Sequence, residues 1–208
     1  MGITNMQTLS ELQRDALREV ANIGAAHAAT ALSLMTGTKI MISVPTITVA
    51  PLAELAPLIS RSNEQIALVP MEMTGGLHGH TILAFPLATA HRLASLMLMR
   101  EVAVGESLSE LEASALTEAG NILAGAYMTA LSEFMEMRLL PSPPTLNVGP
   151  AREVLADTAW ATGHTGGFVF CVETEFMIDQ TDGSLPGYFL LLPDASSLTA
   201  MLAAVRVA

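Results

Sequence analysis

Basic residues are scarce in this chain. Lys and Arg together number 9 against 20 Asp and Glu, Lys39 is the single lysine, and the formal net charge is -11. Nucleic acids and anionic membrane surfaces are held mainly by clusters of basic side chains. The composition therefore argues against both classes of partner, and we expect neither nucleic acid nor membrane to bind.

Cysteine and uninterrupted apolar runs are also scarce. Cys171 is the single cysteine, so an internal disulfide is excluded, and its apolar neighbours predict a buried, unreactive thiol. The most apolar stretch, residues 82–99, is interrupted by Pro86, His91 and Arg92, which argues against a transmembrane helix. The first apolar positions are spaced as in an amphipathic helix rather than a signal peptide, so we expect a cytoplasmic protein.

The chain does contain an internal repeat. The segment Glu19–Asn22 returns as Glu118–Asn121. The same offset relates residues 8–12, 30–33 and 45–51 to residues 107–111, 129–132 and 144–150. Two copies are too few for a solenoid. We therefore predict one domain over residues 1–208, made of two repeats at about 8–99 and 107–205 and related by a pseudo-twofold axis.

Each repeat is predicted to begin with a long helix. Thr8 and Ser107 each stand three residues before a glutamate, Glu11 and Glu110, which is the capping-box pattern of a helix start. The first helix should end near Gly37, because glycine suits the residue that follows a helix.

Strands and shorter helices should follow each long helix. Edge-like strands are predicted at residues 39–49 and 145–148, hairpins at 64–85 and 168–192, and closing helices at 88–99 and 194–205. These elements predict an α+β fold with a mostly antiparallel sheet and both long helices on one side of it.

The repeated Glu and Asn residues lie on the side of each predicted helix that faces away from its apolar stripe. Glu19 and Asn22 are three residues apart, as are Glu118 and Asn121, so each pair should form neighbours on the helix surface. Small residues are expected around them on the exposed side, namely Ala26, Ala29 and Ser33 in the first helix and Gly125 and Ser132 in the second. Such a surface would allow the backbone of another protein to come close.

An amide beside a carboxylate suits the positioning of water. A carboxamide both donates and accepts hydrogen bonds, so it can orient a water molecule for in-line attack on a phosphoryl group. The carboxylate can form an ion pair with a lysine of a partner. A single Glu-x-x-Asn motif is more often an ordinary helix surface, but its recurrence at equivalent positions favours a functional site.

Both motifs resemble the signatures of a known family. Residues 12–33 resemble the first signature of the CheC/CheX/FliY phosphatases of bacterial chemotaxis, and residues 114–127 resemble the second. The resemblance spans nearly the whole chain, and we expect the CheC type, without a flagellar-switch domain. It implies a CheC-like fold and a phosphatase that hydrolyses the aspartyl-phosphate of a CheY-type response regulator.

The resemblance implies catalytic roles for four residues. Asn22 and Asn121 would orient the attacking water, and Glu19 and Glu118 would contact a lysine of the regulator. It implies no cofactor bound by this chain, because the Mg²⁺ of the reaction belongs to the regulator. It also implies no covalent intermediate on this chain.

The first signature departs from the family pattern at two residues. Many relatives have glycine and asparagine where this chain has Ala26 and His27. The methyl group of Ala26 should narrow the surface beside Asn22, whereas Gly125 is retained in the second copy, so we rank the second site above the first. His27 falls near the apolar stripe, which favours a hydrogen-bonded structural role over catalysis.

A function without catalysis stays open. The same surface could hold a phosphorylated receiver as a non-catalytic adaptor, and CheC-type relatives bind the receptor deamidase CheD, often through the segment that corresponds to Pro51–Ile59. The apolar side of that segment is either an interface or buried against its own sheet. His78 and His80 have strand spacing but no evident third ligand, so we expect no metal site.

Overall fold

The computed structural model describes residues 11–60, 64–101, 105, 107–163, 168–178 and 184–204. The first repeat comprises α1 (Glu11–Thr36), β1 (Ile40–Ile42), β2 (Thr46–Pro51), α2 (Leu52–Ile59), β3 (Gln65–Gly75), β4 (Gly79–Pro86) and α3 (Leu87–Met97). The second comprises α4 (Glu110–Met135), β5 (Leu139–Pro141), β6 (Asn147–Pro150), α5 (Ala151–Ala161), β7 (Phe168–Ile178), β8 (Ser184–Pro193) and α6 (Ala195–Ala204). The same order of elements therefore occurs twice.

The described strands form one sheet in which paired strands are antiparallel. Its order is β1-β7-β8-β4-β3-β5, with β2 also paired to β7 and β6 to β3. At the centre, β4 of the first repeat pairs with β8 of the second and places Leu83 opposite Phe189. The predicted antiparallel sheet is confirmed.

The two repeats exchange their short strands. Ile40 in β1 pairs with Ile178 in β7, and Leu139 in β5 pairs with Gly75 in β3. The short strands of each repeat thus extend the hairpin of the other repeat. Backbone hydrogen bonds join the repeats at both edges of the sheet as well as at its centre.

Helices cover both faces of the sheet. The helices α1, α3, α4 and α6 pack on one face, over strand residues such as Val69 and Phe85. The helices α2 and α5 pack on the other face, over the alternate residues such as Leu68 and Ala84. Side chains alternate between the two faces because successive residues of a strand point in opposite directions. Both long helices lie on one side of the sheet, as the sequence predicts.

The sequence-based prediction is incomplete for the layer formed by α2 and α5. The helix α5 is missing from the sequence-based prediction, because few large apolar residues mark it and only Ala151, Leu155 and Thr158 are buried. In α2, Leu55 and Ile59 are buried against the sheet. Of the two alternatives for residues 51–59, burial against the protein's own sheet is therefore correct.

The capping box of α4 begins two residues later than predicted. The side chain and backbone amide of Ser109 donate to Oε2 of Glu112 at 2.6 and 2.9 Å. Two overlapping patterns, Ser107 with Glu110 and Ser109 with Glu112, both fit a capping box. The second one forms because the Glu112 side chain is also buried against His91. The corresponding Thr8 of the first repeat lies outside the described residues.

The two long helices end at equivalent residues in left-handed conformation. These residues are Gly37, with φ of 64°, and Glu136, with φ of 52°. After α4, the amide of Met137 donates to the carbonyl of Ser132 at 3.1 Å, as in a Schellman motif. Glycine adopts this conformation freely, whereas a residue with a β-carbon is disfavoured by about 1–2 kcal/mol. The predicted role of Gly37 is confirmed, and Glu136 carries a local steric cost.

Two expectations from composition concern Cys171 and membrane spans. Cys171 is fully buried in β7, and burial raises the pKa of its thiol to about 12. The thiol therefore stays protonated and is a poor nucleophile, which confirms the prediction. Within the described ranges, no helix has both the length and the apolar character to cross a bilayer.

Candidate functional site

The repeated Glu/Asn pairs lie on the outer sides of α1 and α4. Glu19, Asn22, Glu118 and Asn121 are all exposed. The opposite sides are buried and comprise Val20, Ala21, Ala25, Ala28 and Leu32 in α1 and Leu116, Ala119, Leu123, Ala124 and Ala130 in α4. Residues three apart on a helix have β-carbons about 5–6 Å apart. Each pair therefore forms a single patch of one carboxylate and one amide.

The inner sides of α1 and α4 pack tightly against each other and against the sheet. A β-carbon at Gly24 would lie 2.5 Å from Cδ1 of Tyr127, so glycine is required for this approach. The ring of Tyr127 stacks on Phe189 with centroids 4.4 Å apart, and its hydroxyl lies 3.2 Å from Oγ1 of Thr174. Burial raises the pKa of Tyr127 to about 12, so the phenol stays protonated at neutral pH. These contacts hold the helices that carry the two pairs.

Beyond each asparagine, a small residue stands one turn further along the helix. This residue is Ala26 after Asn22 and Gly125 after Asn121. Ala26 is exposed, and a β-carbon built at Gly125 would meet nothing within 4 Å. The surface next to the second pair is therefore open, and it lacks the methyl group that stands next to the first pair.

Other residues expected on this open surface have structural roles instead. Ala29 is buried. Ser33 accepts a hydrogen bond from the amide of Ile40 at 2.9 Å, and Ser132 donates to the carbonyl of Met137. These serines join each long helix to the chain that leads into its following strand. The expected small-residue surface is thus shorter than the sequence suggests.

Two threonines near the pairs are absent from the sequence-based site. Thr30 donates to the carbonyl of Ala26 at 2.9 Å, and Thr129 donates to the carbonyl of Gly125 at 2.8 Å. Such bonds to the fourth preceding residue compete with the helix ladder and often bend a helix. Their occurrence at equivalent positions of the repeat is the signal that could have identified them.

The two pairs differ in the charges beside them. In α1, Arg18 and Asp15 form an exposed ion pair at 3.0 Å. In α4 the equivalent residues are the uncharged Thr117 and Ser114, and Thr117 donates to the carbonyl of Ala113 at 2.8 Å. An exposed ion pair adds little stability, but Glu19 follows an arginine in the sequence, whereas Glu118 follows the uncharged Thr117.

The side chains of the two pairs are free of internal partners. Counting only residues that the structure describes, no hydrogen bond or ion pair involves the side chain of Glu19, Asn22, Glu118 or Asn121. A carboxylate and an amide that are exposed and not engaged within the chain can bind an external partner without first breaking a bond.

The histidines singled out in the sequence do not form part of this site. His27 is exposed, so the expectation of a structural role at the apolar stripe is wrong. The buried stripe of α1 includes Ala28 but not His27. His78 precedes β4, whereas His80 is the second residue of that strand. Across the part of the chain that is described, no three His, Cys, Asp or Glu residues are grouped so as to hold a metal ion.

Known proteins resemble this chain over nearly its whole length. A sequence model described as the CheC-like family matches it twice, at residues 12–49 and 111–148. The CheY-P phosphatase CheC of Bacillus subtilis (strain 168) is 29% identical over 199 residues, which is 95% of each chain. The flagellar motor switch phosphatase FliY of the same organism is 30% identical over 147 residues, which is 70% of this chain and 38% of FliY. Among solved structures, Thermotoga maritima FliY superimposes with a TM-score of 0.80 at 26% identity, over 96% of this chain and 98% of that chain.

Proposed function

Because the chain belongs to the CheC-like family, we propose that it hydrolyses the aspartyl-phosphate of a CheY-type response regulator. The relative that it matches over 95% of both chains is named a CheY-P phosphatase. The observation that carries the proposal is the occurrence of an exposed Glu/Asn pair at equivalent positions of α1 and α4.

The asparagines are the proposed water-orienting residues. When the receiver docks on α1 or α4, the carboxamide of Asn22 or Asn121 enters its acid pocket and hydrogen-bonds a water molecule in line with the phosphorus–aspartate bond. The water oxygen bonds to phosphorus while the aspartate oxygen leaves as a carboxylate, and inorganic phosphate carries away the water's protons or passes one to solvent. No bond to this chain forms. Such positioning contributes about 10² to 10⁴ in rate.

The glutamates are the proposed contacts to a lysine of the receiver. An ion pair between Glu19 or Glu118 and that lysine would set the position of the helix on the receiver and hence of the asparagine three residues away. The Mg²⁺ that accompanies the phosphoryl group is proposed to be held by the receiver. In this mechanism the receiver provides the lysine and the Mg²⁺, and this chain provides only the exposed glutamate and asparagine of one pair.

The test is the decay of a radiolabelled phospho-receiver at substoichiometric protein. Wild type should turn over many receivers, and the double variant Asn22→Ala/Asn121→Ala should fall by at least about 100-fold with an unchanged circular dichroism spectrum. Asn147→Ala, an exposed asparagine in β6, is the matched control and should keep full turnover.

Two results would contradict the proposal in different ways. A folded double variant with wild-type turnover would exclude the asparagine mechanism. Stoichiometric binding of phospho-receivers by wild type without any acceleration would instead support the non-catalytic adaptor. A binding assay with CheD tests the proposed second partner separately.

A further inference from the structure

An open groove lies beside the second half of α3, near the end of α1. Its volume is about 740 Å³. Arg92, Leu96, Met99 and Arg100 line it from α3 and the residues that follow α3, and Thr36 and Ile178 line it from α1 and β7. Asn22 is roughly 21 Å from Thr36 along the axis of α1, at 1.5 Å per residue. The groove is therefore separate from the proposed catalytic surface.

The charge of the groove is opposite to that of the chain. The chain has only 9 basic residues and a formal net charge of -11, yet Arg92 and Arg100 both line this groove and both are exposed. Glu101 lines it as well, but among the described residues neither arginine forms an ion pair. Arginine binds carboxylates and phosphates through paired N–H donors. Two free guanidinium groups in one groove indicate an anionic ligand.

Hydrogen bonds between Ser95 and Arg100 fix the backbone at the end of α3. The amide of Arg100 donates to the carbonyl of Ser95 at 3.2 Å, and the hydroxyl of Ser95 donates to the carbonyl of Arg100 at 2.5 Å. Met99, between them, has φ of 50°, a conformation that glycine adopts more readily. Its side chain is nevertheless 71% exposed. An exposed apolar side chain at a position suited to glycine indicates a contact made by that side chain.

The arrangement favours a peptide over a small molecule. Small-molecule sites enclose most of the ligand surface, whereas here both arginines and Met99 are exposed. Among the described residues that line the groove there is no aromatic ring on which a nucleobase could stack. Arg92 lies within α3, Arg100 follows the end of α3, and Leu96 and Met99 line the same groove. A peptide that carries both acidic and apolar side chains can contact the two arginines and the two apolar residues together, which a small anion cannot do.

We propose that this groove binds an acidic segment of a partner protein, in which two carboxylates flank an apolar residue. The carboxylates bind Arg92 and Arg100, and the apolar side chain packs on Leu96 and Met99. The two arginines that line the groove belong to the first repeat. Counted from the first residue of each helix, α6 carries Ala200 and Ala204 where α3 carries Arg92 and Leu96.

The test uses a short rhodamine-labelled peptide with glutamate, leucine and glutamate at alternate positions and serine between and around them. Fluorescence anisotropy with the full chain should show saturable binding that weakens as salt rises from about 50 to about 300 mM. Arg92→Gln/Arg100→Gln should weaken binding at least tenfold without changing the thermal midpoint or phosphatase turnover. Arg138→Gln, which removes another exposed arginine, should leave binding unchanged.

A control peptide decides whether the apolar side chain is recognised or the charge alone. Replacing the leucine by serine should weaken binding at least tenfold. The proposal is overturned if no peptide binds, if the arginine variants bind as wild type does, or if Arg138→Gln weakens binding equally. It is likewise overturned if succinate or inorganic phosphate alone competes as well as the peptide, because the groove would then be a small-anion site.

Discussion

His91 Nδ1 lies 2.6 Å from Glu112 Oε1, and both side chains are buried between α3 and the first turn of α4. Nε2 of His91 lies 3.1 Å from the carbonyl oxygen of Gly105, and Ser109 donates two hydrogen bonds to Glu112. This network links the end of the first repeat, the connecting segment and the start of the second. In the sequence of the first repeat, the residue equivalent to Glu112 is Gln13.

The first prediction concerns acid stability. Burial alone would raise the pKa of Glu112, but hydrogen bonds from Ser109 and His91 outweigh that effect and lower the pKa from its ordinary value. A carboxyl group whose pKa is lower in the folded state stabilises the fold above its unfolded pKa, and this stability is lost as pH falls through the folded pKa. Urea unfolding at pH 3 to 7 should show that Glu112→Gln is less stable than wild type near pH 7 and that the difference shrinks in acid. Glu110→Gln, an exposed control, should follow wild type, and a pH-independent difference for Glu112→Gln would contradict the linkage.

The second prediction concerns the left-handed residue after α4. Glu136→Gly should raise the free energy of unfolding by about 1 kcal/mol relative to Glu136→Ala, because both variants remove the charge but only glycine relieves the steric cost. At the equivalent position after α1, Gly37→Ala should lower it by a similar amount. Urea unfolding measures both, and equal stability of the two Glu136 variants would show that no strain is present.

The third prediction concerns the methyl group that distinguishes the two sites. With Asn121→Ala disabling the second site, Ala26→Gly should raise turnover by the first site about fivefold, which corresponds to about 1 kcal/mol in the barrier. With Asn22→Ala disabling the first site, Gly125→Ala should lower turnover by the second site about as much. Phospho-receiver decay measures both, and thermal melts check that each variant is folded at the assay temperature. If neither change alters turnover, the size of the residue one turn beyond the asparagine does not determine which site is more active.

The fourth prediction concerns α2. Leu55→Ala should lower the free energy of unfolding by about 2–5 kcal/mol, because it leaves a cavity between α2 and the sheet. Leu34→Ala is the matched control: Leu34 is 80% exposed and should change stability by no more than about 0.5 kcal/mol. Equal effects of the two changes in urea unfolding would mean that α2 does not pack as described.

Local patterns sufficed to predict the long helices, the hairpins and the placement of the Glu/Asn pairs. Helix periodicity depends on residues a few positions apart, so the exposure of Asn22 and Asn121 follows from the apolar stripes alone. The same patterns place His27 near the stripe and Ser107 at a helix start, and both inferences are wrong. Contacts with residues distant in sequence determine the structure at the edge of an apolar stripe or at the start of a helix. Burial against His91, for example, selects Glu112 for the capping box.

The strand exchange and α5 could not be read from local patterns. β1 has only three residues, and its pairing of Ile40 with Ile178 depends on a strand far along the chain, which periodicity does not reveal. In α5, Leu155 is the only large apolar residue among its buried ones, so its helical pattern is weak. The groove beside α3 is invisible in the sequence for a similar reason, because Thr36 and Ile178 join Arg92 and Arg100 only after folding.

A ribosome releases Ile40 well before Ile178 has been added to the nascent chain. Because β1 and β2 pair with β7, and β4 pairs with β8, the half of the molecule that is made first emerges with β1 and β2 unpaired and with one edge of β4 unpaired. Contacts between residues so far apart in sequence form slowly. Until the partner strands are available, the exposed strand edges are prone to aggregation. Translation that halts before β7 and β8 emerge would leave an incomplete sheet that only the missing strands, or a chaperone, could cover.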